Sequence, residues 1–135
     1  GEGWIAMGPE GPQEFRSRET VESRLGGLVL VIEGIHESTE EGAGEEPVHH
    51  AVAFLSWDTA KNAYRFSSHL SNGRSGDFDA RFEGDSFVWG MDVPGRTIRY
   101  TITLDDEERW TEIGEMSTDG EIWRQFFQMT LTRAE

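Results

Sequence analysis

Turn signals divide this chain at short and fairly even intervals. They separate runs of apolar, β-branched and aromatic residues, and they include Asn72-Gly73, Gly84-Asp85, Pro94-Gly95, Asp105-Asp106 and Asp119-Gly120. A spacing of about 8–12 residues between such signals is typical of an antiparallel sandwich or barrel. No helical stretch is long enough for the crossover that parallel strands need. The sequence therefore predicts an all-β fold, a single antiparallel up-and-down barrel of about ten strands.

The predicted strands form one domain that spans residues 1–135. They cover residues 3–7, 14–25, 28–33, 50–57, 63–68, 78–82, 86–93, 97–104, 110–117 and 122–132. Residues 14–25 also carry Glu14 and Arg18 at helical spacing, but one alternate set of side chains is wholly polar, which favours a strand. The acidic segment 37–47 predicts a mobile loop.

Charge excludes several classes of partner. The 26 Asp and Glu residues outnumber the 12 Lys and Arg residues, which gives a net charge of −14. Nucleic acid and anionic membrane surfaces are bound through Lys and Arg, so we expect neither as a partner. No apolar run reaches the length of a membrane span. The sequence leaves the oligomeric state open, a homodimer included.

The absence of cysteine excludes disulfides, a thiol nucleophile and thiolate metal ligands. It is compatible with a reducing compartment, and we expect a cytoplasmic protein without a visible signal peptide. Gly1 stands where a methionine would begin a chain, and a strand-like run starts at Gly3. We therefore expect a processed or trimmed N-terminus, and a lost targeting segment stays an open alternative.

Alternation along the predicted strands assigns some side chains to the barrel interior. Aromatic and apolar residues dominate this set, and they would contact an apolar ligand. Two carboxylates and one amide would orient a polar group of that ligand. The alternatives are that the aromatic residues are plain core and that the carboxylates lie at a wet rim. The predicted ligand-binding residues are Glu19, Tyr64, Phe66, Trp89, Tyr100, Glu112, Gln125, Phe127 and Met129.

No catalytic or metal-binding motif stands out. His49 and His50 are adjacent, so in a strand they face opposite sides and cannot hold one ion together. Neither HExxH nor GxSxG occurs. We expect no metal ligand, no cofactor and no catalytic residue. Haem held by His36 or His69 at a barrel mouth is the weaker alternative.

Three sets of residues resemble a known family. They are Trp57-Asp58, Tyr64-Arg65-Phe66 and Gly73-Arg74; Glu19-x-Val21-Glu22 followed by Leu25-Gly26-Gly27; and Trp110-x-Glu112-x-Gly114-Glu115, Asp119-Gly120-x-x-Trp123 and Phe127-x-Met129-x-Leu131-x-Arg133. Together, in this order, they resemble bacterial proteins of domain-of-unknown-function family 1579.

The resemblance implies a calycin-type barrel, similar to lipocalins, fatty-acid-binding proteins and haem-binding nitrobindin-like barrels. It implies no activity. The chain departs from two relatives of this fold. It has no histidine near the C-terminal strand, where a nitrobindin-like barrel would bind haem. It also lacks a clear arginine–arginine–tyrosine set for a fatty-acid carboxylate, since Arg99 and Arg124 fall on outward faces.

The function predicted from these features is the binding of a small, largely apolar molecule inside the barrel. Two alternatives remain open. One is an enzyme that uses Glu19 or Glu112 as a general acid or base with a raised pKa. The other is a protein-interaction module that meets a partner chain through the barrel edge or the acidic loop.

Overall fold

Ten strands make up the fold in the computed structural model, which describes residues 1–6, 11–40 and 47–134. The strands are β1 (Glu2–Ile5), β2 (Gln13–Arg24), β3 (Val29–Ser38), β4 (His49–Asp58), β5 (Ala63–Leu70), β6 (Ser75–Glu83), β7 (Ser86–Val93), β8 (Arg96–Leu104), β9 (Trp110–Ser117) and β10 (Arg124–Leu131). A short 3-10 turn, Leu25–Gly27, joins β2 to β3. No helix in the described part of the chain is long and apolar enough to span a bilayer.

The strands close into one antiparallel up-and-down barrel. Each strand pairs with the next along the chain, and β1 also pairs with β10, which closes the sheet. The predicted fold class is confirmed, and the barrel is compatible with a calycin-type fold. Because successive strands run in opposite directions, the turns after β2, β4, β6 and β8 all lie at one end of the barrel. We call this end the mouth.

Several predicted boundaries shift. The ambiguous segment is a strand, β2, because its alternate residues Phe15 and Ser17 are buried while Glu14 and Arg16 are exposed. β3 continues beyond the predicted 28–33 as far as Ser38, so the acidic loop starts later than expected. Residues 41–46 of that loop, and residues 7–10 after β1, lie outside the described residues.

Buried side chains form two clusters on the inner wall. One joins β2, β8 and β10 and contains Phe15, Ile98, Phe126, Phe127, Met129 and Leu131. The other lies on β4 to β7 and contains Ala53, Phe66, Ala80 and Phe87. Residues that are partners in neighbouring strands lie on the same face of the sheet, so the register carries these inward faces around the barrel. The polar groups described next lie between the two clusters.

Candidate functional site

A row of register partners crosses the inner wall and contains four of the predicted residues. It runs from Tyr64 through Ala80, Trp89, Tyr100 and Gly114 to Phe127. Phe66 and Met129 lie on the same face, at 7% and 2% exposure. The structure therefore brings together the six aromatic and apolar residues named from the sequence, and all of them point inward.

Three of these rings form a continuous stack. The Trp89 indole lies between the rings of Phe66 and Tyr100, with centroids 4.4 Å away on each side. The interplanar angles are 24° to Phe66 and 16° to Tyr100, so the faces are nearly parallel. Offset stacking of this kind stabilises aromatic clusters beyond simple burial. The stack gives the inner wall of β5, β7 and β8 a continuous apolar surface.

Gln125 does not belong to this site, and the predicted inward face is wrong for it. β10 contains a bulge, because Gln125 pairs with Glu115 while Phe127 pairs with Gly114. The extra residue, Phe126, shifts the alternation, so Gln125 is exposed and its amide donates to Gln128 on the outer wall. Trp123, which alternation placed on the same face, lies under the Arg99 guanidinium at 3.9 Å instead.

Both predicted carboxylates lie inside the barrel rather than at a wet rim. Glu112 pairs with Ile102 on β8 and with Met129 on β10, so its side chain faces inward. Burial raises the pKa of Glu112 to about 8, and the neighbouring Glu19 contributes to the rise. Burial and the charge of Glu112 also raise the pKa of Tyr100. At neutral pH, Glu112 and Tyr100 are therefore both protonated and can donate hydrogen bonds.

Glu19 is held on β2 by two polar neighbours. Ser17 Oγ lies 3.5 Å and His36 Nε2 lies 3.4 Å from Glu19 Oε1, both at the long end of hydrogen-bond distances. The carboxylate occupies the space above Gly34, its register partner on β3. The side chains of Glu19 and His36 keep 12% and 10% of their accessible surface. Since both face inward, space for a water-sized molecule exists beside them.

Two indole nitrogens on the inner wall are buried without a hydrogen-bond partner. They are Trp89 Nε1 and Trp110 Nε1. Trp110 lies two residues before Glu112 on the same face of β9, and its N–H opposes the rise of the Glu112 pKa. The two groups do not reach hydrogen-bond geometry, so we regard the Trp110 donor as unpaired. A buried unpaired donor costs about 1–3 kcal/mol, which calls for an explanation at each position.

The histidines form no metal site. His36 is buried and stacks on Phe15 at 4.4 Å, and the His49 ring lies 4.8 Å from it. His50 faces outward to Glu33, which confirms that His49 and His50 lie on opposite faces. His69 is exposed and packs against Phe54 on the outer wall. No group of three or more metal-binding side chains occurs within residues 1–6, 11–40 and 47–134.

The mouth carries an exposed apolar ring, which we call the mouth ring. Trp57, Phe82 and Leu104 lie at strand ends on inward-facing register positions, yet they are 46%, 59% and 62% exposed. Leu25 and Leu28, in the turn between β2 and β3, are 74% and 72% exposed. Val21 on β2 completes the ring at 47%. Exposed apolar groups gathered in one place mark binding surfaces more often than scattered ones do.

Two open pockets lie beside β1 and β2, away from Glu112 and the unpaired indoles. Two overlapping depressions of about 430 and 380 Å³ lie beside β1 and β2, where Trp4, Glu14 and Thr39 line both of them. Register places Trp4 and Glu14 on the outer face. Because neither depression includes Glu19, Glu112 or the unpaired indoles, we place the candidate site in the interior.

Comparison with known proteins assigns no function to this chain, so the functional argument depends on the geometry described above. No family model matches the chain, and no curated protein matches it either. The resemblance to domain-of-unknown-function family 1579 therefore stays a prediction from the sequence. The closed antiparallel barrel stands independently of that resemblance, because it rests on the strand register.

Two residues of the interior polar group, Ser17 and Trp110, were not predicted, and a third, His36, was named only as an alternative haem ligand. Trp110 could have been found, because it alternates with Glu112 on one strand. Ser17 alternates with Glu19 in the same way. The inward position of His36 could not be assigned, since β3 has apolar residues on both faces and alternation cannot tell its inner side from its outer side.

Proposed function

We propose that this protein binds one small, largely apolar ligand inside its barrel. The observation that carries the proposal is the buried, unpaired Trp89 N–H within an aromatic wall. A side chain that served only as core packing could be phenylalanine at no cost in hydrogen bonding. A ligand that accepts a hydrogen bond there would satisfy the donor and contact the apolar side chains around it.

Barrel size supports the proposal. A barrel of eight strands already has an interior that side chains just fill or that holds one small ligand. This barrel has ten strands. Its inner wall also carries small residues in neighbouring register positions, since Ala53 pairs with Ser68 and Ser68 pairs with Gly76. The accessible surface that Glu19 and His36 keep inside the barrel indicates room next to the polar groups.

The mouth ring supports the same proposal, because an apolar ligand needs a route from water to the interior. Trp57, Phe82 and Leu104 line the inner edge of the mouth and remain exposed. A ligand that passes this ring would reach Tyr64 and Phe87, which contact the rings of Trp57 and Phe82. Apolar contact therefore continues from the mouth to the stacked wall.

The test is ligand uptake by a matched pair of variants on β4. Ala51 faces inward beside Gly34, whereas Val52 faces outward beside Glu33. We expect wild type to bind Nile red saturably with one site, Ala51→Phe to lose that binding because the ring fills the interior, and Val52→Phe to keep it. Native mass spectrometry of freshly purified wild type gives a second readout through a co-purified small molecule. Equal behaviour of all three proteins, or no uptake by any, would contradict the proposal.

General acid–base chemistry is the second candidate, and the carboxyl pair favours it. Glu112 keeps its proton to about pH 8 and so can act as an acid, while the neighbouring Glu19 is the base candidate. Such a pair suits removal of a proton from carbon next to an electron-withdrawing group, with Glu112 and Tyr100 donating to the developing oxyanion.

Uptake of solvent deuterium by nitroethane tests the second candidate. Wild type should accelerate the exchange, and Glu19→Gln should abolish the acceleration. Glu37→Gln is the control, because Glu37 is exposed on the same β2–β3 pair. An exchange rate in wild type no faster than in buffer would exclude this chemistry for that carbon acid while leaving ligand binding unaffected.

A further inference from the structure

We propose that the ligand is an uncharged molecule with an acceptor oxygen, such as a ketone, and that this oxygen faces the wall formed by β7, β8 and β9. The inference rests on the proposed binding function and specifies the chemistry of what is bound. It depends on the type of hydrogen-bonding group that the wall presents, on the charges around it, and on the shape of the apolar surface.

The wall presents donors. Trp89 on β7 and Trp110 on β9 each carry a buried N–H without a partner, and an indole nitrogen can only donate. Tyr100 on β8 lies between these strands and stacks on Trp89. Its hydroxyl makes no hydrogen bond to any described residue. Glu112, next to Trp110 on the same face, keeps its proton at neutral pH and adds a fourth donor.

The four donors lie on three neighbouring strands, with Glu112 two and Trp110 four register positions further toward the mouth than Tyr100. Trp89 and Tyr100 are register partners, and Ile102, two residues beyond Tyr100, pairs with Glu112. An acceptor oxygen has two lone pairs and can take more than one of these hydrogen bonds. A ligand that offers only donors would leave both indoles unpaired. Acceptor chemistry therefore fits the wall better than amine chemistry does.

Charge excludes an anionic acceptor. All twelve Lys and Arg side chains of the chain are exposed apart from Arg99, which is half-buried and pairs with Glu115 on the outer wall at 3.1 Å. No Lys or Arg side chain is therefore buried inside to balance a carboxylate or phosphate, and the imidazole of His36 already faces Glu19 Oε1 at 3.4 Å. Glu19 lies close enough to Glu112 to raise its pKa, and it would repel an anion. A neutral ligand is therefore the class that fits the charges of the interior.

The apolar surface around the donors indicates the rest of the ligand. Phe66, Trp89 and Tyr100 stack face to face on the same wall, so both faces of the Trp89 indole are covered and the ring edges are left for a ligand. A ring or planar group would meet these edges in the edge-to-face arrangement that aromatic pairs also adopt. We therefore expect an aryl or similarly flat body that carries the neutral oxygen.

Four probes that share a phenylalkyl body separate the possibilities. They are benzylacetone with a neutral acceptor, butylbenzene without a polar group, hydrocinnamate with an anion, and phenylpropylamine with a cation. Calorimetric titration of the wild-type protein at neutral pH should rank benzylacetone first, at least about fivefold tighter than butylbenzene, which corresponds to one net buried hydrogen bond. Hydrocinnamate should bind most weakly of the four.

Trp89→Phe and Trp110→Phe remove the N–H and keep a ring. Each should weaken benzylacetone by about fivefold to tenfold and leave butylbenzene within a factor of about two. Trp123→Phe is the matched control, because Trp123 contacts Arg99 on the outer wall, and it should change neither affinity. Should a variant fail to fold, the indole N–H resonances of ¹⁵N-labelled wild type decide, since those of Trp89 and Trp110 should move downfield with benzylacetone alone.

The outcomes separate the inference from the proposed function. Equal affinity for benzylacetone and butylbenzene, or tighter binding of the amine or the acid, would overturn the neutral-acceptor assignment while the binding function stands. Binding of none of the four probes, together with no Nile red uptake and no co-purified molecule, would overturn both. Indole resonances that stay in place while benzylacetone binds would also overturn the assignment.

Discussion

The carboxylate of Glu19 occupies the position that a side chain at Gly34 would need. A Cβ at residue 34 would lie 2.5 Å from Glu19 Oε1 and 2.6 Å from Oε2. The two residues are register partners on β2 and β3, and His36 lies two residues beyond Gly34 on the same face. Gly34 therefore makes room for the carboxylate near His36 and in the interior.

This relationship predicts a strong coupling between positions 19 and 34. Gly34→Ala should lower the free energy of unfolding by about 1–3 kcal/mol in wild type, because the methyl group displaces a packed carboxylate. In a Glu19→Ala background the same change should cost far less, since the obstructing group is gone. Chemical denaturation of the four proteins measures the coupling. Additive effects would show that Glu19 is not the group that obstructs a side chain at residue 34.

Glu112 makes stability depend on pH. Its pKa rises from 4.5 to about 8 on folding, so the unfolded chain loses this proton first as pH increases. Below about pH 4.5, Glu112 has no effect on the free energy of unfolding. Between pH 4.5 and about pH 8, ionisation of the unfolded chain lowers that free energy progressively. Above about pH 8, the destabilisation is complete.

Glu112→Gln should remove this dependence. Because each unit of pKa corresponds to about 1.4 kcal/mol, the variant should gain up to a few kcal/mol relative to wild type across that window. Urea denaturation at several pH values measures the gain. Glu37→Gln, at an exposed position of β3, should give a curve parallel to wild type. Parallel curves for Glu112→Gln and wild type would contradict the burial of a protonated Glu112.

The fold was predictable because turn residues and alternation act locally. Each turn signal marks a change of direction, and a run such as 97–104 shows polar and apolar residues in strict alternation, which fixes its inward face. Closure was predictable only from the number of strands. The pairing of β1 with β10 joins residues more than 120 positions apart, which no local pattern encodes.

The candidate site was predictable in part, for a similar reason. Glu19 and Glu112 were assigned inward from alternation in their own strands, and the structure places both inside. Their electrostatic coupling was not predictable, because it acts between strands that are far apart in sequence. Sequence also gives no sign that Trp89 and Trp110 lack hydrogen-bond partners, which depends on every neighbour at once.

Leu25 and Leu28 form a natural comparison within the mouth ring. They are almost equally exposed, but Leu25 has φ of 54° whereas Leu28 has φ of −73°. The left-handed conformation costs a leucine roughly 1–2 kcal/mol, and glycine adopts it without that cost. Leu25→Gly should therefore be more stable than Leu28→Gly by about 1 kcal/mol in chemical denaturation. Equal stabilities would show that the turn rearranges around Leu25.

The bulge in β10 decides which side chains of the last strand reach the interior. Phe126 and Phe127 are adjacent, yet they are 3% and 5% exposed, so both lie on the buried side and the alternation restarts between them.

Met129→Ala should cost about 2–5 kcal/mol of unfolding free energy, since it empties a buried position. Gln125→Ala should stay within about 0.5 kcal/mol of wild type, because an exposed amide on the outer wall loses little. A continuous strand without the bulge would put residues 125 and 129 on one face. A comparable loss at both positions would therefore show that the register slips past Phe126, and it would return Gln125 to the interior.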